Sequence, residues 1–157
     1  MPQYQTTRRV KYPARQMFDL VIDAERYPEF VPYCTGLKVL RRSVAPDGRK
    51  TMVAAMTVGY GPISETFTTR VTMDEEKLKL LIQYVDGPFR HLENRWTFVD
   101  SGADSSDVGF FIEYSFKSRA FELLAGSVFE RLFRKMADAF IARADALAAG
   151  RQPGASV

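Results

Sequence analysis

His91 and Cys34 are the chain's single histidine and single cysteine, so they bear first on the chemistry open to it. One residue of each type cannot make a zinc site of the usual nitrogen and sulfur ligands, and a lone cysteine forms no intrachain disulfide. A nucleophilic thiol wants a histidine within hydrogen-bond reach. His91 lies far along the chain in RHLENRWTFV (90–99), on the strand side it shares with Glu93, Arg95 and Thr97. That side is charged and expected to face solvent, and a general base there would reach no substrate in a cleft. Cys34 reads as a small, partly buried thiol. Glu65, Glu113, Tyr84 and Tyr114 are the other acid–base candidates. Strand parity puts Glu65 inward with Phe67 and Glu113 outward, opposite to Phe110 and Ile112. No catalytic residue, metal or catalytic cofactor is expected.

Two polar residues interrupt an apolar pattern. Arg90 and Asn94 share the side of Leu92, Trp96 and Phe98 in a regular strand. Burying a polar group unpaired costs roughly 1–3 kcal/mol, so each needs a partner. Either side chain suits a ligand carbonyl. Alternatively Arg90 lies in solvent at the strand's mouth and Asn94 bonds neighbouring backbone.

The octet YPEFVPYC (27–34) crowds three aromatic rings and two prolines together. The chain holds 12 Phe, 7 Tyr and 1 Trp, more rings than average usage supplies, either to fill a core or to line a pocket. Tyr27, Pro28, Phe30, Pro32 and Tyr33 are expected to form a stiff apolar cap over an open cavity, or else a closed packed plug. Exposed, the same cap would dip into a bilayer beside Arg8 and Arg9.

The elements that must position these residues are legible from periodicity. QYQTTRRVKY (3–12) alternates weakly as a first strand, and Pro13 opens a helix carrying Met17, Phe18, Val21 and Ile22. Pro28 and Pro32 reduce 24–33 to a second short helix or a pair of turns. Period-two strands follow at 37–44, 51–60, 64–73, 77–85, 90–99 and 108–116, and 100–107 reads as a polar loop. Short turns between them make an antiparallel meander of about seven strands. The segment 119–149 is a long helix whose apolar face includes Phe121, Leu124, Ala125, Val128, Phe129, Leu132, Phe133, Met136, Ala139 and Phe140. The class is α+β: one domain over 1–149 and a tail over 150–157.

With 22 basic against 19 acidic residues, the charge is too mild and too interleaved for a nucleic-acid arm. The basic group around Arg8, Arg9 and Lys11 and the one from Lys38 to Lys50 leave an anionic lipid or RNA phosphate open as partners. No apolar leader or membrane-spanning run is present, so a cytoplasmic location is expected, with peripheral contact at the inner face of the cytoplasmic membrane.

The stretches DLVIDAERYPEFVPYC (19–34), GPFRHLENRWTF (87–98) and IEYSFKSRAFELL (112–124), with the strand–helix order, resemble the helix-grip fold of START-like and polyketide-cyclase-like domains. Within that group the chain is similar to the coenzyme-Q-binding subfamily, with bacterial ribosome-association toxins as close relatives. The resemblance spans roughly residues 3–146. It implies a curved sheet gripping the long helix, with ubiquinone or another polyprenyl lipid held between them by a carrier that serves respiration. Met52, Met56, Phe67, Trp96 and Phe110 are the strand candidates for the wall. Phe129, Phe133, Met136 and Phe140 are the helix candidates, with Tyr27, Phe30 and Pro32 above them and Arg90 and Asn94 as polar contacts. Two alternatives stand beside the carrier: a protein that binds the large ribosomal subunit and impairs subunit association, and an aromatase or cyclase. A domain about 30 Å across cannot enclose an extended long polyprenyl tail.

Overall fold

Alternating apolar and polar side chains force about half of the chain into strands that bury one face, and those strands pair as a single curved sheet. The computed structural model describes residues 1–151. Strands β1 (Gln3–Val10), β2 (Cys34–Val44), β3 (Lys50–Tyr60), β4 (Ile63–Asp74), β5 (Lys79–Asp86), β6 (Phe89–Gly102) and β7 (Ser105–Phe116) form one sheet. Its order is β1-β7-β6-β5-β4-β3-β2, and every neighbouring pair is antiparallel. Helix α1 (Ala14–Ile22) and a 3-10 helix (Ala24–Glu29) follow β1, and the long helix α2 (Arg119–Arg151) ends the fold. This is the helix-grip architecture.

Parity is kept where strands are regular. Met52, Ala54, Met56 and Val58 of β3 are buried, as are Phe67, Thr69, Val71 and Met73 of β4 and alternate residues along β7 from Ser106 to Phe116. Register shifts interrupt three of the six pairings and bend the strands around the core. Gly87 turns the chain tightly between β5 and β6. Its φ is 138°, and a Cβ there would lie 2.7 Å from the Cβ of Phe67, so only glycine suits the position.

The expected polar loop over 100–107 is mostly strand, because β6 runs to Gly102 and β7 starts at Ser105. Asp100 thereby reaches the start of α1, and its carboxylate accepts the Ala14 N–H at 2.8 Å. Pro13 sits one residue before the helix as its N-cap residue and offers no side-chain cap. Asp100, distant in sequence, supplies the missing acceptor.

Helix α2 runs through Gly150 and Arg151 rather than ending at 149; the remainder of the expected tail, 152–157, lies outside the described residues. Its inward face is formed by Ala125, Val128, Phe129, Leu132, Phe133, Met136, Ala137 and Phe140. Leu124, expected on that face, is 65% exposed. Before Ala125 the helix has little opposite it, and only Phe121 finds partner rings, in Phe116 and Phe129.

Two aromatic groups brace sheet against helix. Phe89 stacks on Phe116 at 4.9 Å and meets Phe67 and Phe129 edge-on at 5.3 and 5.2 Å. Trp96 meets Phe110 at 4.8 Å and Phe140 at 5.3 Å. Edge-to-face pairs of this kind contribute about 0.5–1.5 kcal/mol each beyond burial.

Candidate functional site: an apolar cavity with one locked amide

Between the concave face and α2 the packing is incomplete. The strands contribute Met52 and Met56 from β3, Phe67 and Thr69 from β4, Asn94 and Trp96 from β6, and Phe110 and Ile112 from β7. Helix α2 contributes Leu132, Phe133 and Met136, and the segment after β1 contributes Val21, Ala24 and Tyr27. The cavity they leave has a volume of about 70 Å³, well below the roughly 300 Å³ at which ligand pockets begin. At 10–15 Å³ per water, that is room for roughly five waters. A ring-sized guest therefore needs wall side chains to move, and Met52, Met56 and Met136 are flexible enough to do so.

The polar content is small and specific. Asn94 is 6% exposed. Its Nδ2 donates to the Phe111 carbonyl at 2.7 Å, and its Oδ1 accepts the Trp96 indole N–H at 3.0 Å. An indole only donates and a carbonyl only accepts, so these two bonds fix which way the amide faces. The second N–H of Asn94 has no protein acceptor among the described residues. The Thr69 hydroxyl, 8% exposed in the same wall, is likewise without a protein partner among them.

Several expected site residues lie elsewhere. Arg90 is exposed, because the register shifts between Phe89 and His91. The bulge turns Phe89 inward, at 0% exposure, and sends Arg90 out. Phe129 and Phe140 are buried behind the wall rather than in it, Phe129 against Phe67 and Phe89, and Phe140 against Trp96. Phe30 and Pro32 are half-buried above the cavity without lining it. Wall residues not singled out from sequence, including Val71, Leu80 and Leu92, share the parity of residues that were.

The expected cap is not an exposed apolar tip. Tyr27 is 8% exposed, and its hydroxyl donates to the Val21 carbonyl at 2.5 Å. Burial raises its pKa above the usual tyrosine range. Tyr27, Phe30 and Phe140 form a triangle of rings with centroids 5.0–6.2 Å apart. Arg143 of α2 latches this lid: its Nη2 donates to Glu29 at 2.7 Å and its guanidinium lies 5.0 Å over the Phe30 ring. Arg8 and Arg9, expected to meet lipid, are instead paired at 2.9 Å with Asp138 and Asp107.

None of the acid–base candidates enters the cavity wall. Glu113 lies on the outer face, 3.3 Å from His91 Nε2. Tyr84 accepts the Phe89 N–H at 3.1 Å. Burial raises the Cys34 pKa, which disfavours the reactive thiolate. No helix among the described residues is long and apolar enough to cross a membrane.

Residues 10–141 match the model of the family described as polyketide cyclase / dehydrase and lipid transport. The chain belongs to that family. It is 37% identical to the ribosome association toxin RatA of Escherichia coli K12, over 92% of this chain and 87% of the relative. It is 29% identical to a mitochondrial coenzyme Q-binding protein, COQ10, of Dictyostelium discoideum, over 90% and 68% respectively. A START superfamily protein of Mycobacterium smegmatis shares the fold, with a TM-score of 0.71 at 24% identity over 92% of this chain and 98% of that one. The family description spans enzymes and lipid carriers, so the choice between them rests on the site.

Proposed function

We propose that this chain is a non-catalytic carrier that binds ubiquinone, or a related polyprenyl lipid with a carbonyl-bearing head, and supplies it to the respiratory chain. The observation that carries this reading is the cavity itself: apolar walls, flexible methionines and a single amide whose orientation is locked. The unused N–H of Asn94 suits a carbonyl oxygen, and a quinone carbonyl brings no proton that would need an acceptor of its own. The coenzyme Q-binding relative supports the quinone within the broader class of apolar lipids. The void is far smaller than a polyprenyl tail, so the head enters and most of the tail stays outside or folds against the mouth.

Trp96 is the only tryptophan, is 1% exposed and stands in the wall. Titration with a short-tailed ubiquinone analogue should quench its fluorescence saturably. Quenching that rises linearly, as by collision, would overturn the reading.

The relatives named RatA, 27–38% identical over most of their length, favour a second reading: association with the ribosome. Cosedimentation with large ribosomal subunits that weakens steeply with salt supports it. Absence of cosedimentation at low salt would overturn it.

A further inference from the structure

We infer that one end of the molecule is a docking surface for an anionic lipid bilayer, formed by apolar side chains of the N-terminus, the β5–β6 turn and the start of α2. In the antiparallel order, β1 begins where β3, β5 and β7 end, and α2 starts there too. That end carries five of the eight exposed large apolar side chains among the described residues: Leu123 at 78%, Met1 at 68%, Leu124 at 65%, Tyr60 at 52% and Val85 at 47%. They are linked through the structure. Leu123 shares a groove with Pro2 and Gln3. Leu124 lies two turns, about 10 Å, from Arg131 on one face of α2, and Arg131 sits 5.8 Å over the Tyr60 ring. The Lys117 N–H donates to the Pro88 carbonyl at 3.0 Å, joining the β7 end to the turn that follows Val85.

Charge selects the partner. Arg90, Lys117, Arg119, Arg131 and Lys135 are exposed around this end, and none lies within ion-pair distance of a carboxylate among the described residues. Glu65, Asp86 and Glu122 are the acids nearby without an ion pair among the described residues; Glu130, in the groove with Leu123, is paired with Arg134, and Glu113 contacts His91 and Gln3, so the cations remain in excess. Of the cations elsewhere, Arg8, Arg9 and Arg143 are among those that are paired, whereas Lys11, Lys38, Arg41, Arg70, Lys77 and Lys79 also lie outside ion-pair distance of a carboxylate among the described residues. Unpaired cations around protruding aliphatic side chains match a membrane interface, where leucines enter the acyl boundary and basic groups meet phosphate. RNA would use the cations but gain little from Met1, Val85, Leu123 and Leu124, since its bases stack on aromatic rings. The lid borders this end, with the Tyr33 ring 5.5 Å from Tyr60, so docking brings the cavity's cover to the lipid.

The surface goes beyond the identity of the cargo, and its test is separate. The full-length chain is floated with vesicles of phosphatidylcholine alone and of phosphatidylcholine with phosphatidylglycerol. Binding is expected only to the anionic vesicles and should weaken with salt. Leu123→Ser with Leu124→Ser should reduce it about tenfold per leucine. Lys117→Glu with Arg119→Glu should reduce it about fivefold or more per cation. The leucine variant should melt as wild type and keep the saturable quench of Trp96. No binding to anionic vesicles, or binding indifferent to the leucine pair, overturns the surface. So does RNA binding in place of vesicle binding, or a dimer that the leucine variant dissociates without vesicle binding. Loss of the quench in wild type, with vesicle binding intact, would refute the cargo and leave the surface standing.

Discussion

Replacing Asn94 by Leu tests the locked amide directly, because the two residues are similar in size and the change removes only hydrogen bonding. Asn94 holds two bonds, one to the Phe111 carbonyl and one from the buried Trp96 indole. Without the amide the indole N–H is buried with no acceptor, which costs about 1–3 kcal/mol. For a domain of this length that lowers the melting temperature by roughly 2–12 °C. Trp96→Phe on its own leaves Oδ1 without its donor, at a cost of similar size. The double variant removes donor and acceptor together, so its loss should fall short of the sum by about 0.5–3 kcal/mol. Thermal melts of the four proteins give this coupling. Loss of stability that adds within about 0.3–0.5 kcal/mol would refute the claim that Trp96 orients the amide.

Ala54→Leu, at a buried wall position facing the void, should fill the cavity, keep or raise the melting temperature, and abolish saturable quinone quenching; retained quenching would place the ligand elsewhere. Hydrogen bonds and charge from Arg143 and Arg26 hold the Glu29 pKa below the usual carboxylate range. Because its folded-state pKa is depressed, the latch contributes in full above the unfolded value, near pH 4.3, and fades as pH falls through the lowered one. Quinone release measured by stopped flow should therefore accelerate in acid, and Glu29→Gln should show the faster rate at neutral pH, with the acid dependence lost. Asp100→Ala removes the acceptor at the start of α1 and should cost about 0.5–2 kcal/mol, read as a lower melting temperature with quinone affinity unchanged.

Much of this was legible in the chain. On β3, β4 and β7 an unbroken period of two told which side faces inward, and Asn94 could be placed with Trp96 because that part of β6 is regular. Four residues before Asn94 the same rule misplaced Arg90, since a bulge swaps the faces and leaves no mark in composition. Leu124 followed the helical period, but periodicity says nothing about where the sheet opposite ends. Contacts between distant residues were out of reach for the same reason. The Arg143–Glu29 latch joins positions 114 apart and Asp100 caps a helix 86 residues away, while Arg8 and Arg9, read as a free basic group, are neutralised by α2 and β7.

The central claim, a carbonyl-headed lipid in the cavity, is met most directly by purifying the chain from a ubiquinone-producing bacterium, extracting it into organic solvent and weighing what comes out by mass spectrometry. The account predicts ubiquinone near one per chain from the wild type and little from Ala54→Leu prepared alongside. An empty wild-type protein that also fails to take up added quinone would contradict it.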